Sequence, residues 1–262
     1  MRTLRELFKH LVLLLARIFD MRTCPLCLAK FPNFMPLPNH YFEVFHRLNV
    51  FYSLDDFETL NIGQYSCPKC SSSDRDRLYA LFVKQLLTRP EDRPLRILDI
   101  APTPVLSSFL RTISESHYRS ADLFSPLADD IVDIMDMCMY ADDSFDLIVC
   151  SHVLEHVTDD APAIAELHRV LAPGGTAILM VPILLTALET DEDPLEKSID
   201  ERWARFGQDD HVRLYAKNDF VKRLVNGGFH VTSLGSDSFG EGTFTKHGIT
   251  EKSVLYIGNK SQ

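Results

Sequence analysis

Basic charge is in short supply in this sequence. Only 27 Lys and Arg face 37 Asp and Glu, a formal net charge of −10, and no long Lys/Arg stripe offsets the deficit. Broad, sequence-independent attraction to nucleic acid needs a basic surface that displaces counterions, so that class of function is disfavoured. Long apolar runs are lacking as well. The run Leu11-Val12-Leu13-Leu14-Leu15-Ala16 falls well short of the ~20 residues that span a bilayer, and no small-residue cleavage site clearly follows it. We expect Arg2 to Phe19 to form a helix that packs on the body or on a partner, with peripheral membrane contact as the alternative. Linker-like composition is also missing: 45% hydrophobic and 24% charged residues among 262 are ordinary globular values, enough for a substantial core. Cysteine is sparse, six in all, but four of the six are gathered into two pairs.

Those pairs are Cys24-Pro25-Leu26-Cys27 and Cys67-Pro68-Lys69-Cys70. Each knuckle can bring two thiolates to one tetrahedral ion, and a full thiolate set leaves no open position, so structural Zn²⁺ is expected ahead of metal catalysis. Disulfides, redox CxxC units and unliganded thiols are the alternatives. Cys138 and Cys150 lie apart and are expected in core or strand-end positions. Between the knuckles the chain is rich in aromatics, from Phe31 through Phe45 and Tyr52 to Tyr65. This interval is long for a bare ribbon loop and reads as an insertion covering a cleft. His40 and His46 read as surface or substrate-facing. After Cys70, Ser71-Ser72-Ser73-Asp74 reads as a helix N-cap, and Pro90 and Pro94 mark a boundary. The expected organisation is an N-terminal helix over 1–22, a paired-CxxC zinc module with connecting helix over 23–90, and an α/β domain over 91–262.

The α/β domain carries the chemistry. Strands are expected at Arg96 to Ile100, Tyr118 to Ala121, Ile131 to Ile134, Phe145 to Cys150 and Thr176 to Val181. A helix over Ala161 to Leu171 is broken by Pro173-Gly174-Gly175, and a last, antiparallel strand spans Ser253 to Ile257. Strands alternating with helices imply a mostly parallel sheet with right-handed crossovers. Asp99, Asp122 and Asp136 recur at successive strand ends, where such a sheet binds ligands, which suggests one cofactor touched by several loops.

These residues resemble class I S-adenosylmethionine-dependent methyltransferases. The matching pieces are Ile97 to Pro102, Ser120-Ala121-Asp122, Asp133 to Met137, Phe145 to Val157 and Leu167 to Gly175. A nearer resemblance is to bacterial methyltransferase-like proteins with an N-terminal paired-CxxC module, an Ala-Pro cofactor loop and the segment that here runs from Phe206 to Tyr215. The resemblance implies a Rossmann-like sheet and S-adenosylmethionine as cofactor. Asp99 with the Ala101-Pro102 backbone would approach the methionine portion, Asp122 the ribose hydroxyls, and Asp136 with Met137 the adenine, Asp133 being the alternative under a small shift of register. Ser151 and His152 would face the transfer zone. The departure is the first loop, Asp99-Ile100-Ala101-Pro102-Thr103-Pro104, where such enzymes usually place glycines with positive φ.

Methyl transfer needs alignment more than acid-base chemistry, and a base helps chiefly when the acceptor is a hydroxyl. His152, His156 and His211 are the proton-transfer candidates, His211 foremost. Arg213 is expected to engage an acidic substrate or to form a surface ion pair. The expected reaction is methyl transfer to a small molecule or sugar, with oxygen favoured. Ribosomal or transfer RNA, with Arg75 and Arg77 as local cations, is the less favoured acceptor, and a non-catalytic scaffold is the third reading. Thiolate chemistry points to a reducing cytoplasm.

Overall fold

Apolar runs bounded by turn formers, with no polar alternation, belong inside a sheet covered on both faces. In the computed structural model, which describes residues 21–88, 94–114 and 117–261, these runs become β3 (Ile97–Ile100), β6 (Phe145–Ser151) and β7 (Leu171–Met180). The helix expected at Arg2 to Phe19 lies outside the described residues. β3 pairs in parallel with β6 and with β4 (Tyr118–Asp122), β4 with the short β5 (Asp130–Ile131), and β6 with β7. Beyond β7, β11 (Leu255–Asn259) runs antiparallel between β7 and β10 (His230–Leu234). Outside this sheet, β1 (Arg22–Thr23) pairs with β2 (Lys30–Phe31) and β8 (Asp191–Glu192) with β9 (Arg213–Leu214), both antiparallel.

The seven strands lie in the order β10-β11-β7-β6-β3-β4-β5. Numbered along the chain and read from the β5 edge, that is 3-2-1-4-5-7-6 with the last strand reversed. This is the Rossmann-like sheet of class I methyltransferases. Its winding reverses between β3 and β6, the switch point at which an open α/β sheet leaves a crevice beyond the strands' carboxyl ends. Residues 101, 122 and 152, which directly follow or end β3, β4 and β6, therefore rim one crevice.

The last strand, expected at Ser253 to Ile257, runs two residues later, and two further boundaries move for a local reason. The third strand stops at Ile131 because Asp133 folds a turn: its Oδ1 accepts from the Met135 amide at 2.9 Å, and its carbonyl accepts from the Asp136 amide at 3.0 Å. β7 begins at Leu171, so Pro173-Gly174-Gly175 lies within the strand, where Gly174 has φ 75° and the pairing slips between Phe145 and Leu147.

The helices that matter to the site are α1 (Asn39–Arg47), α2 (Asp74–Leu86), α3 (Pro104–Ile113), α4 (Asp160–Val170), α5 (Ile199–Phe206) and α6 (Lys217–Asn226). α2 starts within the N-cap region expected over Ser71 to Asp74, at Ser73, and as a capping box: Asp76 N donates to Ser73 Oγ at 3.1 Å and Ser73 N to Asp76 Oδ2 at 2.8 Å. The aromatic interval builds a second core, in which Phe45, Tyr52 and Leu54 pack with Trp203, Phe206 and Leu214. That core stands over the carboxyl end of the sheet. His40 packs edge-on against Tyr41 and Trp203 at 5.9 and 5.8 Å, so it joins this aromatic layer.

Candidate functional site

The four knuckle thiols converge, every Sγ within 4.8 Å of the others. The closest approaches join the two knuckles, Cys24 to Cys70 and Cys27 to Cys67, each at 3.7 Å. A tetrahedron with Zn–S of ≈ 2.3 Å has edges of about 3.8 Å, so the set fits a single ion; a disulfide would require about 2.05 Å. Burial pushes the Cys24 thiol up, but the amide of Cys27, the hydroxyl of Ser72 and the amide of Leu26 outweigh it and bring it down to about 7. Burial pushes Cys70 up to about 12, so the cluster does not ionise as a whole without a cation.

Arg77 fastens this cluster to the rest of the chain. Its guanidinium, fully buried, donates to the carbonyls of Gln64, Ser72, Gly248, His247 and Tyr65 and lies 3.9 Å over the Phe34 ring. With its donors committed inside, Arg77 is not the surface cation expected for an RNA partner. Arg75, one turn-face away, lines the cavities described next.

The crevice beyond β3, β4 and β6 holds two adjacent cavities that share Ile100, Ala101 and His152 in their walls. One is a narrow cavity lined by Asp76, Asp99, Ala101, Thr103, Ser151 and His152 together with Arg75. Here Ala101 takes φ 50°, the left-handed turn that glycine would supply in the usual loop. The altered loop thus keeps the turn at a strain of roughly 1–2 kcal/mol. Thr103 caps α3 by accepting from Leu106 N at 3.4 Å and donates to Asp76 Oδ1 at 3.1 Å. The same Asp76 carboxylate therefore caps α2 with one oxygen and holds the cofactor loop with the other. Asp99 is buried and accepts from Tyr118 Oη at 2.7 Å, and burial pushes its carboxyl up to about 7.

The other is an open cleft lined by Ala101, Asp122, Asp133, Met135, His152 and His156 among others. Asp122 Oδ1 accepts from the amides of Phe124 and Ser125 at 2.8 and 2.7 Å, which orients the carboxylate at the end of β4. Of the residues expected at the adenine, Asp136 is exposed and Met137 is fully buried with its amide on Glu166 Oε2 at 2.7 Å; neither lines the cleft. Asp133 and Met135 do, the alternative left open by the register. Pro102 lies half-buried in the loop without lining either cavity.

Across His152 lies a third cavity, of about 100 Å³, walled by Leu37, Tyr41, Phe45, Leu54, Phe57 and Phe206, with Arg75, Gln208 and His211 among its polar groups. The aromatic insertion does cover a cleft. His152 has φ 58°, a left-handed turn off the end of β6 held by its amide on the Met180 carbonyl at 2.8 Å, and it lines all three cavities.

Behind His152 sits Glu155, fully buried, with no aligned hydrogen-bond donor on either carboxylate oxygen. His152 Nδ1 is 3.0 Å from Glu155 Oε1 but outside hydrogen-bond alignment; His211 Nε2 is 3.9 Å and His156 Nε2 4.0 Å from the same oxygen. Burial pushes His152 down to about 4 and also lowers His211, so both rings are neutral near neutrality. His211 Nδ1 lies 3.0 Å from the Phe206 carbonyl, which only accepts, so that nitrogen carries the proton and Nε2 presents a lone pair.

The Phe206 to Tyr215 segment holds this turn in place. Arg213, 1% exposed, donates to the carbonyls of Leu154, Val157 and Thr158 and pairs with Glu192 at 3.1 Å. Tyr215 Oη donates to Asp160 Oδ2 at 2.6 Å, and Val212 N to the Glu155 carbonyl at 2.9 Å. Arg213 is thus a buried clamp and neither a substrate anchor nor a surface ion pair. Sequence reasoning missed Glu155 and Asp76 as site residues. The signal for Glu155 was its spacing between His152 and His156; none existed for Asp76, which reads as an ordinary cap.

A family profile described as a methyltransferase domain matches residues 105–179, from α3 to β7. No curated protein matches the chain. Among solved structures, the CurJ carbon methyltransferase is 16% identical at TM-score 0.46, with 71% of this chain covering 54% of that one. An S-adenosylmethionine-dependent methyltransferase from Mesorhizobium loti is 16% identical at TM-score 0.43, covering 71% of this chain and 98% of that one. The citrinin polyketide synthase CMeT domain is 20% identical at TM-score 0.47, covering 76% and 55%. This chain thus spans about half the length of two of these structures. The chain carries the class I methyltransferase sheet and, over residues 105–179, a match to a methyltransferase domain, with a cysteine cluster able to hold a metal.

Proposed function

We propose that the chain transfers a methyl group from S-adenosylmethionine to an oxygen of a small-molecule or sugar acceptor. The observation that carries this reading is the position of His152, shared between the cofactor-side crevice and the aromatic cavity. Bound S-adenosylmethionine would supply an electrophilic methyl at that junction. Asp122 would accept from the ribose hydroxyls, the Ala101 turn would admit the methionine portion, and Asp133 with Met135 would take the adenine edge. The aromatic walls suit an apolar ring or the C–H face of a sugar, Arg75 and Gln208 supply polar contacts, and the aromatic cover excludes water. His211, held in one tautomer, would orient the acceptor's hydroxyl or take its proton, with His152 alongside.

The knuckle thiolates would hold a structural Zn²⁺, and the need to keep them reduced favours the cytoplasm. No helix among the described residues is long and apolar enough to cross a membrane; peripheral contact through residues 1–20 belongs to the same proposal. We infer kinship with bacterial methyltransferase-like proteins that carry an N-terminal paired-CxxC module and an Ala-Pro loop. Commitment of Arg77 to backbone carbonyls weighs against RNA as acceptor. An acceptor screen with isotopically labelled S-adenosylmethionine, read by mass spectrometry, tests the reading. A methylated small molecule or glycan is expected, and label found only in RNA would overturn it.

A further inference from the structure

Glu155 poses a problem that methyl transfer alone does not solve. It is a fully buried carboxylate whose oxygens both lack an aligned donor, and a lone buried anion is costly unless a cation shares its pocket. Among the described residues no Lys or Arg pairs with it, and the only groups within ion-pair distance are the imidazoles of His152, His156 and His211. Glu155, His156 and His211 each offer a ligand atom, all within 4.8 Å of one another.

Both histidines are oriented as metal ligands are. His211 has Nδ1 on the Phe206 carbonyl at 3.0 Å, and His156 has Nδ1 3.4 Å from Asp210 Oδ2, so in each ring the distal Nε2 faces Glu155. A second acceptor that fixes the tautomer and aims the other nitrogen is the usual support of a histidine ligand. Donors about 2.0–2.2 Å from one ion stand roughly 3–3.5 Å apart, so the observed 3.9 and 4.0 Å separations are within about 1 Å of a ligating set. We propose that Glu155, His156 and His211 bind a divalent first-row transition cation, such as Mn²⁺ or Zn²⁺, at the boundary of the cofactor cleft and the acceptor cavity.

Two imidazoles and one carboxylate form a mixed N/O set, which suits such cations better than Ca²⁺ or Mg²⁺, and three protein ligands leave positions open. The position follows from the lining: His156 and Asp210 border the cofactor cleft, His211 the acceptor cavity. On the methyl-transfer reading, the ion would take up the Nε2 lone pair of His211 and so replace that ring in activating an acceptor hydroxyl, whose proton would pass to His152. The oxygen lone pair then bonds to the methyl carbon as the carbon–sulfur bond breaks and its electron pair returns to sulfur. Metal binding itself stands without that reading.

Mn²⁺ distinguishes this site from the thiolates, because it is the weakest of the first-row divalent ions at soft sulfur ligands. The full chain, with its cysteine-bound metal in place, is titrated with Mn²⁺ and the free ion followed by electron paramagnetic resonance. One Mn²⁺ bound per chain is expected, with affinity at least about tenfold weaker in Glu155→Gln and in His156→Ala. His156 lies at the cavity rim, so H156A carries the test if E155Q does not fold by circular dichroism. Failure of the folded wild type to bind Mn²⁺ or a Zn²⁺ beyond the cysteine-bound one overturns the proposal, as does unchanged affinity in a folded variant. Calorimetry of S-adenosylmethionine on the same samples separates the readings: an intact Mn²⁺ site without cofactor binding sinks methyl transfer and leaves the metal site standing.

Discussion

Ala101 holds a left-handed turn at the end of β3 without the glycine that such a turn favours. Its φ of 50° carries strain, so Ala101→Gly is expected to stabilise the chain by roughly 0.5–1 kcal/mol, the relief exceeding the added backbone entropy of glycine. Urea denaturation reads this directly, and a loss of stability would mean that the turn is unstrained. Asp99 makes a second claim at this scale. Its folded carboxyl is pushed up to about 7 by burial, above the ~3.9 of an unfolded Asp. The folded state therefore holds the proton more tightly. The associated stability is full below about pH 4 and is lost as pH rises through about 7. The stability of wild type relative to Asp99→Asn should accordingly fall between pH 4 and pH 8, by no more than about 4 kcal/mol. A difference that is flat or rises with pH would contradict the buried protonated form.

Among elements, the turn from His152 to Thr158 depends on a partner distant in sequence. Arg213 caps three carbonyls of that turn from inside the protein, and no water can replace it at 1% exposure. Arg213→Met is expected to cost about 2–4 kcal/mol, with Lys a poor rescue because a single ammonium cannot fork to several acceptors. A change in denaturation midpoint equivalent to under about 0.5 kcal/mol would show the clamp to be incidental. The same element explains what the sequence could and could not reveal. β3, β6 and β7 were legible because residues apolar on both faces leave few other places for a strand. The end of β5 was not, since Val132 and Ile134 continue the alternation that the Asp133 side chain interrupts. Arg77 and Arg213 read as surface cations because nothing in a sequence marks the carbonyls that converge on them. Asp122 and the knuckle cysteines stood out, each being tied to a strand end or a fixed spacing; the grouping of Glu155 with three histidines emerged only when residues 206–215 folded back over 152–158.

At the scale of the molecule, the cysteine module and the sheet share one mechanical path. Cys24 and Cys70 approach Ser72, whose carbonyl binds Arg77; the adjacent Ser73 is capped with Asp76, and Asp76 holds Thr103 in the cofactor loop. Removing metal from the thiolates with a chelator is therefore expected to weaken S-adenosylmethionine binding as well as to loosen residues 21–73, as hydrogen exchange would read. Loosening of the module with unchanged cofactor affinity would show the two parts to be independent. The central claim concerns the crevice itself. Its most direct test is calorimetric titration of S-adenosylmethionine into the folded, metal-replete chain and into Asp122→Ala, with circular dichroism as the check on folding. A single-site isotherm is expected for the wild type, weakened about tenfold or more in D122A as the charge-assisted ribose hydrogen bonds are lost; no binding by the folded wild type would contradict the assignment of the crevice as a cofactor site.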